Sequence, residues 1–173
     1  MSTPPALPDP WLRGPVEAIP ALLQPVAHAL IAAGEDIERA VAGLAAEDLW
    51  ARPGDVASVG FHIAHLAGST DRLLTYARGE ALSESQRASL IRERGVGEAR
   101  PALDDLLTPL RDTIRRGLEQ LAGTDIATLT EPRPVGRAAS STVLGLLFHA
   151  ADHAARHAGQ VVTTAKVVRG GGR

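Results

Sequence analysis

Half of the chain's six histidines lie in one stretch, FHAADHAARHAGQVV (148–162), where His149, His153 and His157 follow one another at intervals of four. Residues four apart on a helix share a face, with Cβ atoms about 5–6 Å apart. Either the pair 149/153 or the pair 153/157 can therefore reach one metal ion from a single helix. Two imidazoles alone make a weak site, so a third ligand has to come from another element. The segment VGFHIAHLAGSTDRLL (59–74) offers His62 and His65. Spacing by itself leaves two readings open, because an i,i+4 histidine pair is more often solvated or hydrogen-bonded than metal-bound. The regular repeat on a segment otherwise rich in Ala, Leu and Val speaks for the metal. His28, set between Ala27 and Ala29, reads first as a solitary helix histidine that could still reach the same pocket. The helical zinc motif of many metalloproteases needs a glutamate directly after its first histidine as general base. Here Ala154 follows His153, so that chemistry lacks its base.

Composition narrows the remaining chemistry. The chain has 173 residues, which predicts one domain with a real hydrophobic core. Its aromatics are Trp11, Trp50, Phe61, Tyr76 and Phe148, so the core must be built from Leu, Ala and Val, which suits packed helices. The net charge of −2 gives no basic excess to meet a phosphate backbone, so nucleic acid is not an expected partner. There is no cysteine, which excludes disulfides, thiolate ligands and a cysteine nucleophile. The start, MSTPPALPDP, lacks the basic and apolar regions of a signal peptide, and no apolar run is long enough for a membrane span. No membrane partner and a cytoplasmic location are the expectation.

The elements that must position the histidines are legible from apolar periodicity. Residues 1–24, with Pro15 and Pro20, read as an irregular lead-in. Val26, Ala29, Leu30, Ala33, Ile37, Ala40, Val41 and Leu44 mark a first helix over 25–45, with Pro25 in its first turn. The stretch 45–55 reads as a helical turn stopped by Pro53-Gly54. Ser58 is a good N-cap for a second helix ending at Arg78 before Gly79. Residues 82–95 suggest a short surface helix. Leu103, Leu106, Leu107, Leu110, Ile114, Leu118 and Leu121 mark a third long helix up to Gly123, with Pro109 expected to kink it or shift its start. Residues 124–140 read as a loop, and 141–168 as the fourth long helix, followed by a frayed tail over 169–173. No strand alternation with hairpin signals is evident. The expected fold is all-α: an antiparallel four-helix bundle over 25–168 with short accessory helices.

Two segments carry a family resemblance: SVGFHIAHLAGSTDRLL (58–74) and LLFHAADHAARHAGQVV (146–162). The second resembles an H-x3-H pattern followed by H-R-G-Q, and together the two resemble the DinB-like superfamily of bacterial four-helix-bundle proteins. The likeness covers roughly residues 20 to 168. It implies that His65, His153 and His157 hold one divalent metal, often nickel or zinc, with water in the open positions. It assigns no role to His28, His62 or His149. Gly159-Gln160 matches the end of the pattern, whereas Ala158 stands where the family often has Arg, so contacts made by that side chain do not carry over. Three protein ligands plus water is also the arrangement of a catalytic zinc site. Ligand histidines usually donate their other N–H to an acceptor. Gln160, Asp152 and Asp71 are candidates in sequence, although Asp152 and Arg156 first suggest a surface ion pair.

Relatives implied by this resemblance use a low-molecular-weight thiol together with the metal. A coordinated thiol is converted to thiolate near neutral pH, and without protein cysteine that thiol would be a cosubstrate. The leading expectation is a metal-dependent enzyme transferring such a thiol to a small electrophilic molecule. A metal-dependent hydrolase and a non-catalytic metal- or ligand-binding stress-response protein are the alternatives. The resemblance also implies a homodimer. The run Ala150, Ala151, Ala154, Ala155, Ala158, Val161, Val162 and Ala165 offers either a contact surface or internal packing.

Overall fold

A computed structural model describes residues 8–170 of the chain; the first seven and last three residues, parts of the expected lead-in and tail, lie outside it. Seven helices and one hairpin follow the lead-in: α1 (Gln24–Val41), α2 (Ala46–Leu49), α3 (Val59–Ala77), α4 (Glu84–Arg94), α5 (Val96–Ala99), α6 (Leu103–Ala122), β1 (Pro132–Val135), β2 (Ala138–Thr142) and α7 (Val143–Gly170). The four long helices close into a ring in which α1 packs on α7, α7 on α3, α3 on α6, and α6 on α1. The all-α bundle is as expected.

Local chemistry explains the helix ends. The Ser58 hydroxyl accepts the Phe61 amide at 3.2 Å, satisfying one of the orphan donors of α3. At its other end Gly79 takes φ +79°, a left-handed conformation that suits glycine. α4 opens with a reciprocal capping box between Ser83 and Gln86. Pro109 lies in the second turn of α6 without ending it. The Gln24 side chain holds the lead-in by accepting from the Val16 amide and donating to the carbonyls of Val16 and Ile19.

Side-chain contacts give the helix directions. His62 meets His157 and His65 meets His153, so α3 and α7 are antiparallel. Glu38 bonds Arg111, and Gly34 faces Ile114, so α1 and α6 are antiparallel too. By contrast, Asp71 pairs with Arg116 and Arg78 with Gln120, so α6 runs beside α3 in the same direction. The link carrying α4 and α5 returns the chain along the bundle to make that possible.

The sequence missed the hairpin. Pro132 and Pro134 deprive β1 of the usual strand alternation, and Gly136 makes the turn at φ +56°. The antiparallel register, Pro132 with Thr142 and Arg133 with Ser141, is interrupted before Val135 pairs with Ala138. The hairpin rests on the end of α3, where Arg133 Nε donates to the Ala77 carbonyl, and it delivers the chain into α7. Its far strand ends at Thr142, whose hydroxyl accepts the Gly145 amide at 3.0 Å.

The core runs along the ring axis through Leu30, Ile37, Ile63, Leu66, Leu110, Leu121, Leu147 and Val161. Within the broad apolar run of α7, Ala150, Ala151, Ala154, Ala158, Val161 and Ala165 are all buried inside the chain. These residues serve packing against α1 and α3, while Ala155 is exposed and Val162 half-buried. Gly60 shows how tight the packing is. A Cβ there would come within 2.6 Å of the buried Trp50 ring. Gly60→Ala should therefore destabilise the fold by about 1–3 kcal/mol despite better helix propensity, as measured by urea denaturation.

Candidate metal centre

Because α3 and α7 are antiparallel, the i,i+3 pair His62/His65 faces the i,i+4 pair His153/His157 across the seam. One nitrogen from each of His65, His153 and His157 lies within 4.8 Å of the other two, forming a three-histidine group that could hold a metal ion. All three are partly buried. His62 is buried behind them. His149 is exposed on the same face of α7, its ring 5.8 Å from that of His153. His28 is elsewhere, with its Nε2 3.0 Å from the Gly14 carbonyl.

Hydrogen bonding fixes the orientation of two rings. His65 Nδ1 lies 2.5 Å from Glu93 Oε1, so it carries the hydrogen and donates to the carboxylate. His153 Nδ1 lies 3.2 Å from Ser69 Oγ. When the serine hydroxyl donates to the Leu66 carbonyl, its oxygen accepts from His153 Nδ1. In both imidazoles the remaining nitrogen, Nε2, is then a lone pair. Those two Nε2 atoms face each other at 3.4 Å. Two nitrogens bound tetrahedrally to one zinc ion at about 2.0–2.1 Å are separated by about 3.3–3.4 Å. Three imidazoles are a donor set that suits such an ion, and the His65–His153 separation matches its spacing.

The third ring is held by a fourth. His157 Nδ1 and His62 Nδ1 are 3.0 Å apart, which requires a hydrogen on one of them. When His157 is the donor, its Nε2 is left free to bind a metal. The charge states favour neutral rings. Burial and the neighbouring His153, His65, His62 and Arg156 push His157 down to about 4. Burial, then His65, His149 and Arg156, lower His153, with Asp152 opposing. Burial and His65 lower His62. Phe61 covers one side of His65, its ring nearly parallel at a centroid distance of 5.7 Å.

The acceptors expected from sequence are not the ones used. Asp71 takes hydrogen bonds from Gln86 and Arg116. Asp152 pairs with Arg156 on the surface, as its spacing suggested. Gln160 is exposed. Glu93, on α4 and 28 residues from His65, is the acceptor instead. Nothing in the charged RERG stretch distinguishes it. Burial alone would raise the Glu93 carboxyl, but hydrogen bonds from His65 and Arg72 outweigh this and hold it below its ordinary range. Arg72 Nη1 reaches Glu93 Oε2 at 3.0 Å, with both side chains almost fully covered.

A cavity of about 830 Å³ lies on the other side of Glu93, between α3, α4, α5 and α6. Ala67, Gly68, Arg72, Val96 and Leu106 are among its lining residues. It contains none of the histidines and meets the centre only at Glu93.

The DinB superfamily model matches residues 29–161, a span that contains the whole three-histidine group. The chain belongs to the DinB superfamily. No curated protein matches it. Within this DinB superfamily chain Ala158 is buried in the core. Among the described residues, no helix is long and apolar enough to cross a membrane.

The lowered histidines give the fold a pH dependence. In the unfolded chain these imidazoles take up protons near pH 6.5, whereas in the fold they resist until lower pH, about 4 for His157. The unfolded state binds more protons between those limits, so their contribution is complete above about pH 6.5 and is lost as pH falls toward 4. Urea midpoints of the metal-free protein should drop over that window, and His157→Gln should flatten the drop.

Proposed function

We propose that this DinB superfamily protein is a divalent-metal-dependent enzyme that uses a small thiol against a small electrophilic molecule. The observation that carries the metal reading is the approach of His65 Nε2 and His153 Nε2 to 3.4 Å, the spacing of two nitrogens on one zinc ion, with His157 in the same group. His65, His153 and His157 would hold the ion, and imidazole donors suit zinc and nickel equally well. When bound, such an ion supplies Lewis acidity that lets a coordinated thiol or water act as a nucleophile near neutral pH.

The chain's own residues support thiol transfer over hydrolysis. A hydrolase acting through water benefits from a nearby general base within hydrogen-bond reach. Glu93, the carboxylate beside the histidines, is already engaged by His65 and Arg72 and so is not available as that base. His62 and His157 engage each other. What these residues do is orient imidazoles.

Protein purified without a metal-affinity tag should contain one divalent ion per chain by elemental analysis. His153→Ala should abolish that stoichiometry, and undiminished metal content would remove the triad. Consumption of a small electrophile should depend on both metal and added thiol; metal-dependent turnover that ignores thiol would favour hydrolysis. Chelation should lower the Tm by removing a ligand specific to the native state, yet leave the far-ultraviolet helical signal, because the apolar core runs the length of the bundle. Outright unfolding on chelation would make the site structural.

A further inference from the structure

We propose that Glu93 is the positioning residue of the metal centre, and that Gly68 and Arg72 exist in this arrangement to hold its carboxylate against His65. The proposal rests on the metal reading above and adds a residue outside the histidine motifs.

Three observations converge on it. The first is the carboxylate itself. One oxygen accepts from His65 Nδ1 at 2.5 Å and the other from Arg72 Nη1 at 3.0 Å, so both are committed. The bond to His65 selects the tautomer in which Nε2 is the lone pair, and it makes that nitrogen a stronger donor. The guanidinium on the far side compensates the buried charge and limits how far the carboxylate can move.

The second observation is a gap in α3. A Cβ at Gly68 would stand 2.6 Å from Glu93 Oε2 and 2.8 Å from Arg72 Nη1. Any other residue at 68 would push the carboxylate away from the seam. Glycine in a helix interior costs stability relative to alanine. Here it leaves the notch through which a side chain from α4 reaches a ring on α3.

The third is the character of α4. No residue of α4 is buried in the core. Its hold on α3 is polar: Gln86 bonds Asp71 and Thr75 at 2.7 Å, and Glu93 bonds His65 and Arg72. Beneath it lies the cavity of about 830 Å³. A helix placed only for packing would put apolar side chains into that space. α4 instead brings one carboxylate to one imidazole.

The test uses the full chain with zinc as probe. Glu93→Ala and Gly68→Ala should each weaken zinc binding about 10–100-fold, the usual effect of losing a ligand's hydrogen-bond partner. Glu93→Gln keeps an acceptor oxygen and should fall between them and the wild type. Gly68→Ala is the informative variant, because it keeps the glutamate in the sequence while displacing its carboxylate, and it improves helix propensity. Its Tm without metal should be unchanged or raised while its zinc affinity falls. In the metal-free wild type, nitrogen NMR should show His65 as the Nδ1–H form, and both alanine variants should shift it toward a tautomer mixture. Wild-type zinc affinity with an unchanged tautomer in both variants would overturn the proposal. A lowered Tm in both, in step with the loss of affinity, would also overturn it by making the contact merely structural. If the wild-type chain binds neither zinc nor nickel, the metal-enzyme reading fails, and the tautomer measurement still decides whether Glu93 orients His65.

Discussion

The rest of the molecule depends on how closely α3 and α7 approach. Ala150, Ala151, Ala154 and Ala158 bury almost completely on α7, and small side chains let helix axes come close. That approach brings four imidazoles together, with ring centroids 4.6 Å apart for His65/His157, 5.1 Å for His65/His153 and 5.2 Å for His62/His157. Crowding so many basic rings in a half-buried seam has an electrostatic consequence. Burial and the neighbouring rings disfavour protonation of His62, His153 and His157, and neutral imidazole is the state that binds metal. The same alanines that close the seam therefore help to set its charge.

Around this seam the polar groups form a second layer that determines which nitrogen of each ring is available. Ser69 does so for His153, His62 for His157 and Glu93 for His65. Only the last of these carries a formal charge. A buried carboxylate is costly unless paired and hydrogen-bonded, and Arg72 supplies the pairing from about two turns further along the same helix as His65. The bundle can include this ion pair because α4 lies outside the core, where the pair displaces no apolar packing.

Helix order follows from the connections. The short route through α2 joins α1 to α3 across the bundle, and the hairpin joins α6 to α7 in the same way. The longer route through α4 and α5 lets α6 lie beside α3 in the same direction. This is why the cavity is bounded by α3 and α6 with α4 across it, and why it borders the metal centre without including it.

Much of this was legible in the sequence. Apolar periodicity marked the four long helices, and the Ser58 cap and Gly79 marked the ends of α3 nearly to the residue, because capping is a local backbone requirement. The i,i+4 spacing put His153 and His157 on one face, because that too is a property of a single helix. The β1–β2 hairpin was not legible, since its prolines hide the strand period and its pairing is a relation between segments. The choice of His65 over His62 came from the family resemblance and not from spacing, because it depends on the rotation of α3 against α7. Glu93 was beyond reach for the same reason. Sequence determines what each helix offers along its own faces. Only the packed structure decides which faces meet, because a contact across 28 residues depends on the path of the intervening chain and not on any local period.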